Sequence, residues 1–289
     1  MGLVAAAGNW SNNVMNVGTH CEKIEDNTYC TVPRDAIDLG VQRHALYHDP
    51  NTDRIIKTGS VGERDFGAWQ NELRYTKEMA EAGIGPKIYE YGLESSWSPF
   101  KTDRRKRGIM TLQKFDKTLN QVETITPAIV KSVIDLIART ANLGYIYTDM
   151  KGDNIMLDKD NKAFFIDFGD FHFVHDSSID ANVREALMLM MLRGYMYEKH
   201  GMDIFENTIH EFTSLELRNA TIDYLLNFNH VSDHVSSILF RRGGFYRHNV
   251  DLKDFLRWWR KQPSLEWPNP IYKNFLKEFP KGYLPIGWN

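Results

Sequence analysis

The distribution of apolar and polar positions divides the chain into a strand-rich part and a helical part. Short apolar runs at 39–41, 45–47 and 54–57 are separated by polar turns, a pattern typical of an antiparallel sheet. Two more apolar runs, at 88–92 and 108–112, predict further strands. This part of the chain is therefore expected to form a β-sheet.

Apolar residues recur at helical spacing in three longer stretches. They predict helices at 66–82, 127–143 and about 183–197, the first ending at Gly83. Residues 1–32 are rich in Asn, Gly, Thr and Ser and show little periodicity, which predicts a polar extension. Together the patterns predict an α+β fold.

Two polar motifs flank a predicted hairpin in the middle of the chain. Residues 147–154 are Tyr-Thr-Asp-Met-Lys-Gly-Asp-Asn, which places Asp149, Lys151 and Asn154 close together. Two apolar runs joined by the polar turn 158–161 then lead to Asp167 in Ile-Asp-Phe-Gly. Phosphoryl transfer needs a group that orients the attacking hydroxyl, a cation on the phosphoryl group and oxygen ligands for Mg²⁺. These residue types supply that set.

The two motifs resemble the catalytic loop and the D-F-G metal motif of the protein-kinase superfamily. The resemblance implies a two-lobed kinase-like fold with a small lobe at 33–112, a hinge at 113–115 and a large lobe at 116–289, after the extension at 1–32. It also implies an enzyme that uses ATP and Mg²⁺. Lys151 favours a Ser/Thr protein kinase, with an unidentified protein as substrate.

The resemblance also implies roles for individual residues. Asp149 would orient the substrate hydroxyl and accept its proton, and Lys151 would stabilise the transferring phosphoryl group. Asn154 and Asp167 would bind Mg²⁺. For nucleotide binding it implies the following residues: Lys57 paired with Glu72 on the helix at 66–82, together with Gly40, Val41, Leu112, Gln113 and Phe115.

Three departures from the family pattern leave alternatives open. Only Gly40 of the expected glycine-rich phosphate loop is present, and Asp38 adds negative charge beside it. Thr148 replaces the arginine that often precedes the catalytic Asp, so switching by activation-loop phosphorylation is not expected. No Ala-Pro-Glu motif occurs in 170–194, which puts the usual peptide-docking platform in doubt. The alternatives are a small-molecule kinase of the aminoglycoside or choline phosphotransferase type, and a pseudokinase that acts as a binding module.

Composition narrows the range of partners and compartments. The net charge of −3 and the pI of about 6.4 give no global signal for nucleic-acid binding. No apolar run approaches the ~20 residues of a membrane span. The two cysteines, Cys21 and Cys30, do not suggest a disulfide scaffold in so long a chain, so we expect free thiols and a cytoplasmic protein. The oligomeric state is left open.

Overall fold

The computed structural model describes residues 20–24, 27–40, 45–60, 66–94, 107–169, 173–200, 204–205, 214–227 and 252–263. They form an α+β fold, as the sequence pattern predicted. The chain divides into two compact units. The first consists of Met1–Arg64 and Tyr89–Gln113, and the second of Asp65–Ile88 and Lys114–Asn289.

The first unit is built on a sheet of seven strands. In chain order these are β1 His20–Ile24, β2 Asn27–Thr31, β3 Ile37–Asp38, β4 Ala45–Asp49, β5 Arg54–Ser60, β6 Ile88–Glu94 and β7 Arg107–Gln113. Their order across the sheet is β1-β2-β6-β7-β5-β4-β3. The β2–β6 pair is parallel, whereas the β1–β2, β3–β4, β4–β5 and β5–β7 pairs are antiparallel.

The polar turn between β4 and β5 forms where the sequence predicted it. The Asp49 carboxylate is buried and accepts hydrogen bonds from the Asn51 amide and the Thr52 hydroxyl. Such side-chain bonds to nearby groups are the reason Asp and Asn favour turns. Asp53 completes the turn in the left-handed region, with φ of 52°.

The first two strands correct two expectations about the amino-terminal region. Within the stretch expected to be a polar extension, His20–Thr31 contributes a hairpin to the sheet. Cys21 and Cys30 lie directly opposite each other in this hairpin and form a disulfide, so the prediction of free thiols is wrong. Cys30 is fully buried against Ile56 and Ile109. Since disulfides persist mainly in oxidising compartments, the cysteine content no longer supports a cytoplasmic location.

The second unit combines five helices with two small antiparallel sheets among its described residues. The helices are α1 Phe66–Glu81, α2 Pro127–Asn142, α3 Ala181–His200, α4 Leu215–Asn227 and α5 Leu252–Arg260. The strands are β8 Lys117–Thr118, β9 Tyr145–Tyr147, β10 Ile155–Leu157, β11 Ala163–Phe165 and β12 Phe173–His175. They pair as β11-β10-β8 and β12-β9. Short 3-10 turns occupy Leu119–Gln121 and Gly152–Asn154.

Helices α1 and α2 confirm the predictions made from apolar spacing. Helix α1 ends before Gly83, whose φ of 67° lies in a region that glycine adopts without strain. Helix α2 begins after Thr126, whose hydroxyl accepts a bond from the Ile129 amide, and Pro127 occupies the first turn. The α2 face with Val133, Leu136 and Ile137 is fully buried in the core of the second unit.

Helix α3 is the most deeply buried helix among the described residues. Its residues from Ala186 to Leu192 are all nearly inaccessible to solvent. The predicted helix at 183–197 is therefore confirmed and extends a few residues at each end. No helix in the described part of the chain is both long and apolar enough to cross a bilayer.

The disulfide leads to a direct chemical test. Alkylation of the denatured protein, prepared without reductant, should label neither cysteine, and after reduction it should label both. A Cys21→Ser/Cys30→Ser variant should lower the free energy of unfolding by about 2–3 kcal/mol, because the open loop gains entropy when unfolded. Mass spectrometry and urea unfolding measure the two effects. Two labelled cysteines before reduction would contradict the pairing.

Candidate functional site

The segment between β9 and β10 brings three of the predicted site residues together. Lys151 Nζ lies 2.6 Å from Asp149 Oδ2, and Asn154 Nδ2 donates to the same carboxylate oxygen at 2.7 Å. Asn154 Nδ2 also lies 3.1 Å from the Asp149 carbonyl oxygen. Asp149 and Asn154 are buried, whereas the Lys151 side chain retains 29% exposure. An ammonium and an amide therefore hold one buried carboxylate in a fixed orientation.

The hairpin β10–β11 carries the chain from Asn154 to Asp167. Its turn is closed by Asp158 Oδ1, which accepts bonds from the amides of Asp160 and Lys162, both at 2.9 Å. The Ile166 amide donates to the Asn154 carbonyl at 3.0 Å. The backbones next to the two predicted metal ligands are thus joined, as the predicted hairpin required.

Asp167 adopts the left-handed region, with φ of 63°. A residue with a side chain occupies this region at a cost of about 1–3 kcal/mol, and such residues concentrate at functional sites. Asp and Asn tolerate it better than most residues. The conformation turns the chain out of β11, which ends at Phe165.

Tyr147 connects the predicted catalytic loop to the segment of Asp167. Its hydroxyl donates to the carbonyls of Ile166 at 2.7 Å and Asp167 at 3.2 Å. The ring is fully buried, stacks on Phe165 and meets Phe168 edge-on. Burial, followed by the nearby charges of Asp167 and Asp149, raises the Tyr147 pKa well above its usual value.

Phe168 is packed on its other side by the loop that follows α1. A Cβ added at Gly85 would lie 2.8 Å from the Phe168 ring, so only glycine allows this approach. The adjacent Ile84 carbonyl accepts a bond from the Phe165 amide at 2.9 Å. The loop after α1 is therefore attached to both β11 and the D-F-G segment.

Glu72 lies on the buried face of α1 and is 5% exposed. The same helix is attached to β9 through the Tyr145 hydroxyl, which donates to Glu78 Oε1 at 2.5 Å. Burial and the bond to Glu78 raise the pKa of Tyr145 above its usual value. Tyr75 meets the rings of Tyr145 and Phe173 edge-on. These contacts fix the helix that carries Glu72 within the second unit.

Four of the predicted nucleotide-binding residues belong to the first unit, and Val41 lies outside the described residues. Lys57 is buried on β5 opposite Met110 of β7. Leu112 and Gln113 end β7, opposite Ile55 and Arg54 of β5. Gly40 follows β3. The structure places these residues on one sheet or beside it.

Gly40 has a left-handed backbone, and its amide already has an intramolecular partner. Its φ is 69°, and its N–H donates to Asp38 Oδ1 at 2.8 Å. A Cβ at this position would meet nothing within 4 Å, so the backbone angle alone requires glycine. The Asp38 carboxylate thus occupies the group that a phosphate-binding loop would present to phosphate oxygens.

Phe115 is a core residue of the second unit. Its ring is 7% exposed and stacks on Phe164 of β11, with the ring centres 4.7 Å apart. The next residue, Asp116, donates its amide to the Leu157 carbonyl at 3.2 Å. In the nucleotide-binding role predicted for it, Phe115 would therefore act through its backbone, since its side chain is committed to packing.

Soon after Gly169 the chain returns to β9, the strand that precedes the predicted catalytic loop. Strand β12 pairs antiparallel with β9, so that Phe173 lies opposite Tyr147 and His175 opposite Tyr145. Asp176 then accepts bonds from the Ser178 amide and hydroxyl and from the Tyr224 hydroxyl. These bonds lower the Asp176 pKa, and the bond from the Ser178 hydroxyl is the largest cause. Helix α3 follows at Ala181, which makes this a short and well-anchored connection.

The donor set is compatible with Mg²⁺ bound together with a nucleotide. Because Asn154 Nδ2 is engaged by Asp149, its amide oxygen is the atom that can coordinate a cation, and Asp167 supplies a carboxylate. Mg²⁺ in nucleotide sites commonly takes one or two protein ligands and completes its shell with water and phosphates. The described residues contain no group of three or more His, Cys, Asp or Glu placed to hold a metal by themselves.

Two residues next to the site were not predicted from the sequence. Asn120, in the 3-10 turn at Leu119–Gln121, and Tyr195, on α3, both contact the turn at Gly152–Asn154. The sequence predicted a helix around Tyr195, but no local signal connected this residue to residues so distant in the sequence.

Comparison with known proteins does not identify a relative. The chain matches no family model, and a search of curated proteins finds no significant match. The assignment of function therefore depends on the residues themselves.

The buried tyrosines predict a loss of stability at alkaline pH. Folding raises the pKa values of Tyr145, Tyr147 and Tyr224. Their contribution to the free energy of unfolding is therefore complete below about pH 10, and it declines above that pH as these tyrosines ionise in the unfolded state. Tyr147→Phe should cost about 0.5–1.5 kcal/mol at pH 8 through its lost hydrogen bonds. It should also reduce the further loss between pH 9 and pH 11. Urea unfolding at each pH measures both effects.

Tyr91→Phe is the control for that experiment. Tyr91 is 43% exposed, so its substitution should change the free energy of unfolding at pH 8 by less than about 0.5 kcal/mol. A Tyr147→Phe protein with the same stability and the same pH dependence as the wild type would contradict the role assigned to the hydroxyl.

Under the nucleotide-binding role predicted for Gly40, the contact of its amide with Asp38 is expected to weaken ATP binding. Asp38→Ala should free the Gly40 amide and remove a negative charge, and should therefore lower the Kd for ATP several-fold. Asp35→Ala is the matched control, because it removes an equal charge from the same segment but leaves the Gly40 bond intact. Titration calorimetry measures both variants. Equal effects of the two substitutions would show that charge alone is responsible.

Proposed function

We propose that the protein is a phosphotransferase of the protein-kinase superfamily that transfers the γ-phosphoryl group of ATP to a hydroxyl group. The observation that carries this proposal is that the Asp149 carboxylate forms an ion pair with Lys151 and accepts a hydrogen bond from Asn154. The bonds of Tyr147 to the segment of Asp167 support it. In this proposal the small lobe consists of the sheet of the first unit and helix α1, and the large lobe consists of the rest of the second unit.

Asp149 would orient the acceptor hydroxyl and receive its proton. The acceptor oxygen forms a bond to the γ-phosphorus while the bond from that phosphorus to the bridging oxygen of ADP breaks. Lys151, held at Asp149, would bring positive charge to the transferring group. Asn154 and Asp167 would hold Mg²⁺, which would neutralise charge on the nucleotide phosphates. Lys57, Glu72 and the residues around Gly40, Val41, Leu112, Gln113 and Phe115 are assigned to the nucleotide.

A protein Ser or Thr side chain is the first proposed acceptor, because Lys151 follows the Ser/Thr-kinase pattern. A small-molecule hydroxyl is the second. The observation that favours the second is the short connection from Gly169 through β12 to α3, which leaves little chain for a peptide-docking platform. Since the cysteine content no longer supports a cytoplasmic location, the proposed ATP-dependent activity is the remaining argument for it.

The proposal predicts transfer that depends on two carboxylates. Asp149→Asn should lower kcat by about 10²–10⁴-fold, since it removes the proton acceptor but keeps the shape of the side chain. Asp167→Asn should raise the Mg²⁺ concentration needed for half-maximal activity. The Asn side chain also tolerates the left-handed backbone at this position. Labelled γ-phosphate from ATP, offered with generic protein substrates, aminoglycosides and choline, measures transfer to each acceptor.

Asp160→Asn is the matched control, because Asp160 is an exposed residue of the β10–β11 turn. Its kcat should equal that of the wild type. Labelling of protein alone would support the first acceptor, and labelling of a small molecule alone the second. ATP binding without transfer to any acceptor would indicate a pseudokinase and overturn the proposal.

A further inference from the structure

The Tyr195 side chain connects the most buried helix of the second unit to the predicted catalytic loop. Tyr195 lies on α3 and is 6% exposed. Its hydroxyl accepts a hydrogen bond from Asn120 Nδ2 and donates one to Asp153 Oδ2 at 3.2 Å. Asp153 belongs to the turn Gly152–Asn154, and Asn120 to the turn Leu119–Gln121. One hydroxyl therefore joins three separate segments of the chain.

Gly152 shows how closely Asn120 approaches the catalytic loop. A Cβ added at Gly152 would lie 2.2 Å from Asn120 Oδ1 and 2.8 Å from Asn120 Cγ. Real Cβ atoms do not come so close to other atoms, so any side chain at this position would displace either the amide or the loop. The reason for glycine at this position is the close approach of Asn120 and not the backbone angle, since Gly152 is not in the left-handed region.

The turn Gly152–Asn154 adjoins Lys151 and contains Asn154, the two residues that bond to the Asp149 carboxylate. Lys151 immediately precedes it, and its carbonyl accepts a bond from the Asn154 amide at 3.0 Å. Asn154 ends the turn and bonds to the Asp149 carboxylate through its side chain. A shift of the turn would therefore move both Lys151 and Asn154 relative to Asp149.

We propose that Tyr195 is a positioning residue, which acts through Asn120 and Asp153 to hold the catalytic loop in its working geometry. This inference rests on the proposed phosphotransferase function. Small displacements of catalytic groups have large effects on rate because reacting atoms must be aligned closely. The ring of Tyr195 contributes to the core in any case, so its hydroxyl is the group with the positioning role.

Tyr195→Phe isolates that role, since it keeps the ring and removes only the oxygen. It should lower kcat about 3- to 10-fold, the range expected for one buried hydrogen bond, and leave the KM for ATP within about twofold of wild type. Tyr224→Phe is the matched control, because it also removes a tyrosine hydroxyl bonded to a carboxylate in the second unit, that of Asp176. Its kcat should be unchanged.

Hydrogen exchange provides a readout that does not depend on activity. In Tyr195→Phe, a peptide covering 149–157 should exchange faster than in wild type under native conditions, whereas in Tyr224→Phe it should not. If wild-type protein transfers phosphate to no acceptor, the proposed function fails, and the exchange pattern still decides whether Tyr195 positions the loop. Unchanged exchange and unchanged kcat in Tyr195→Phe would overturn the inference.

A second pair of variants tests the contact from the loop side. Gly152→Ala should lower kcat because its methyl group meets the Asn120 amide. Asn120→Ala removes that amide, so the Asn120→Ala/Gly152→Ala double variant should have the kcat of Asn120→Ala alone. Gly152→Ala should likewise speed exchange in the 149–157 peptide only when Asn120 is present. Equal effects of Gly152→Ala with and without Asn120 would contradict the proposed contact.

Discussion

The arrangement of the candidate site depends on one buried hydroxyl, that of Tyr147. It donates to two consecutive carbonyls, those of Ile166 and Asp167, at the point where the chain leaves β11. A buried carbonyl without a partner is costly, and a left-handed residue persists only where its surroundings determine it. The hydroxyl therefore helps to maintain the unusual backbone of Asp167, and it comes from the strand that leads directly to Asp149.

Around this contact, the second unit connects its functional segments through backbone pairing and aromatic packing. Phe168 lies between Tyr147, Phe173 and the close approach of Gly85. Tyr145 stacks on Phe173 and bonds to α1. The predicted catalytic loop, the D-F-G segment, β12 and α1 are therefore parts of a single packed core.

Local signals in the sequence predicted most of the second unit's site. The polar turn at 158–161 and the apolar runs beside it were enough to predict the β10–β11 hairpin, and Asp149, Lys151 and Asn154 are close because they share one loop. The contacts of Tyr195 and Asn120 could not be predicted, because they join residues far apart in the chain. The amino-terminal hairpin was missed because its strands are polar and lack alternation, and a cysteine count cannot show that two residues face each other.

That hairpin also determines which strand ends the sheet. Strand β2 runs along β6, and at Gly92 the two backbones approach so closely that a Cβ would lie 2.4 Å from the Thr28 carbonyl oxygen. Without the hairpin, β6 would be an open sheet edge at Leu93 and Glu94, where its backbone pairs with Tyr29 and Cys30. Such an edge is a template for pairing with other chains. The disulfide-linked hairpin therefore closes this part of the β6 edge to other strands.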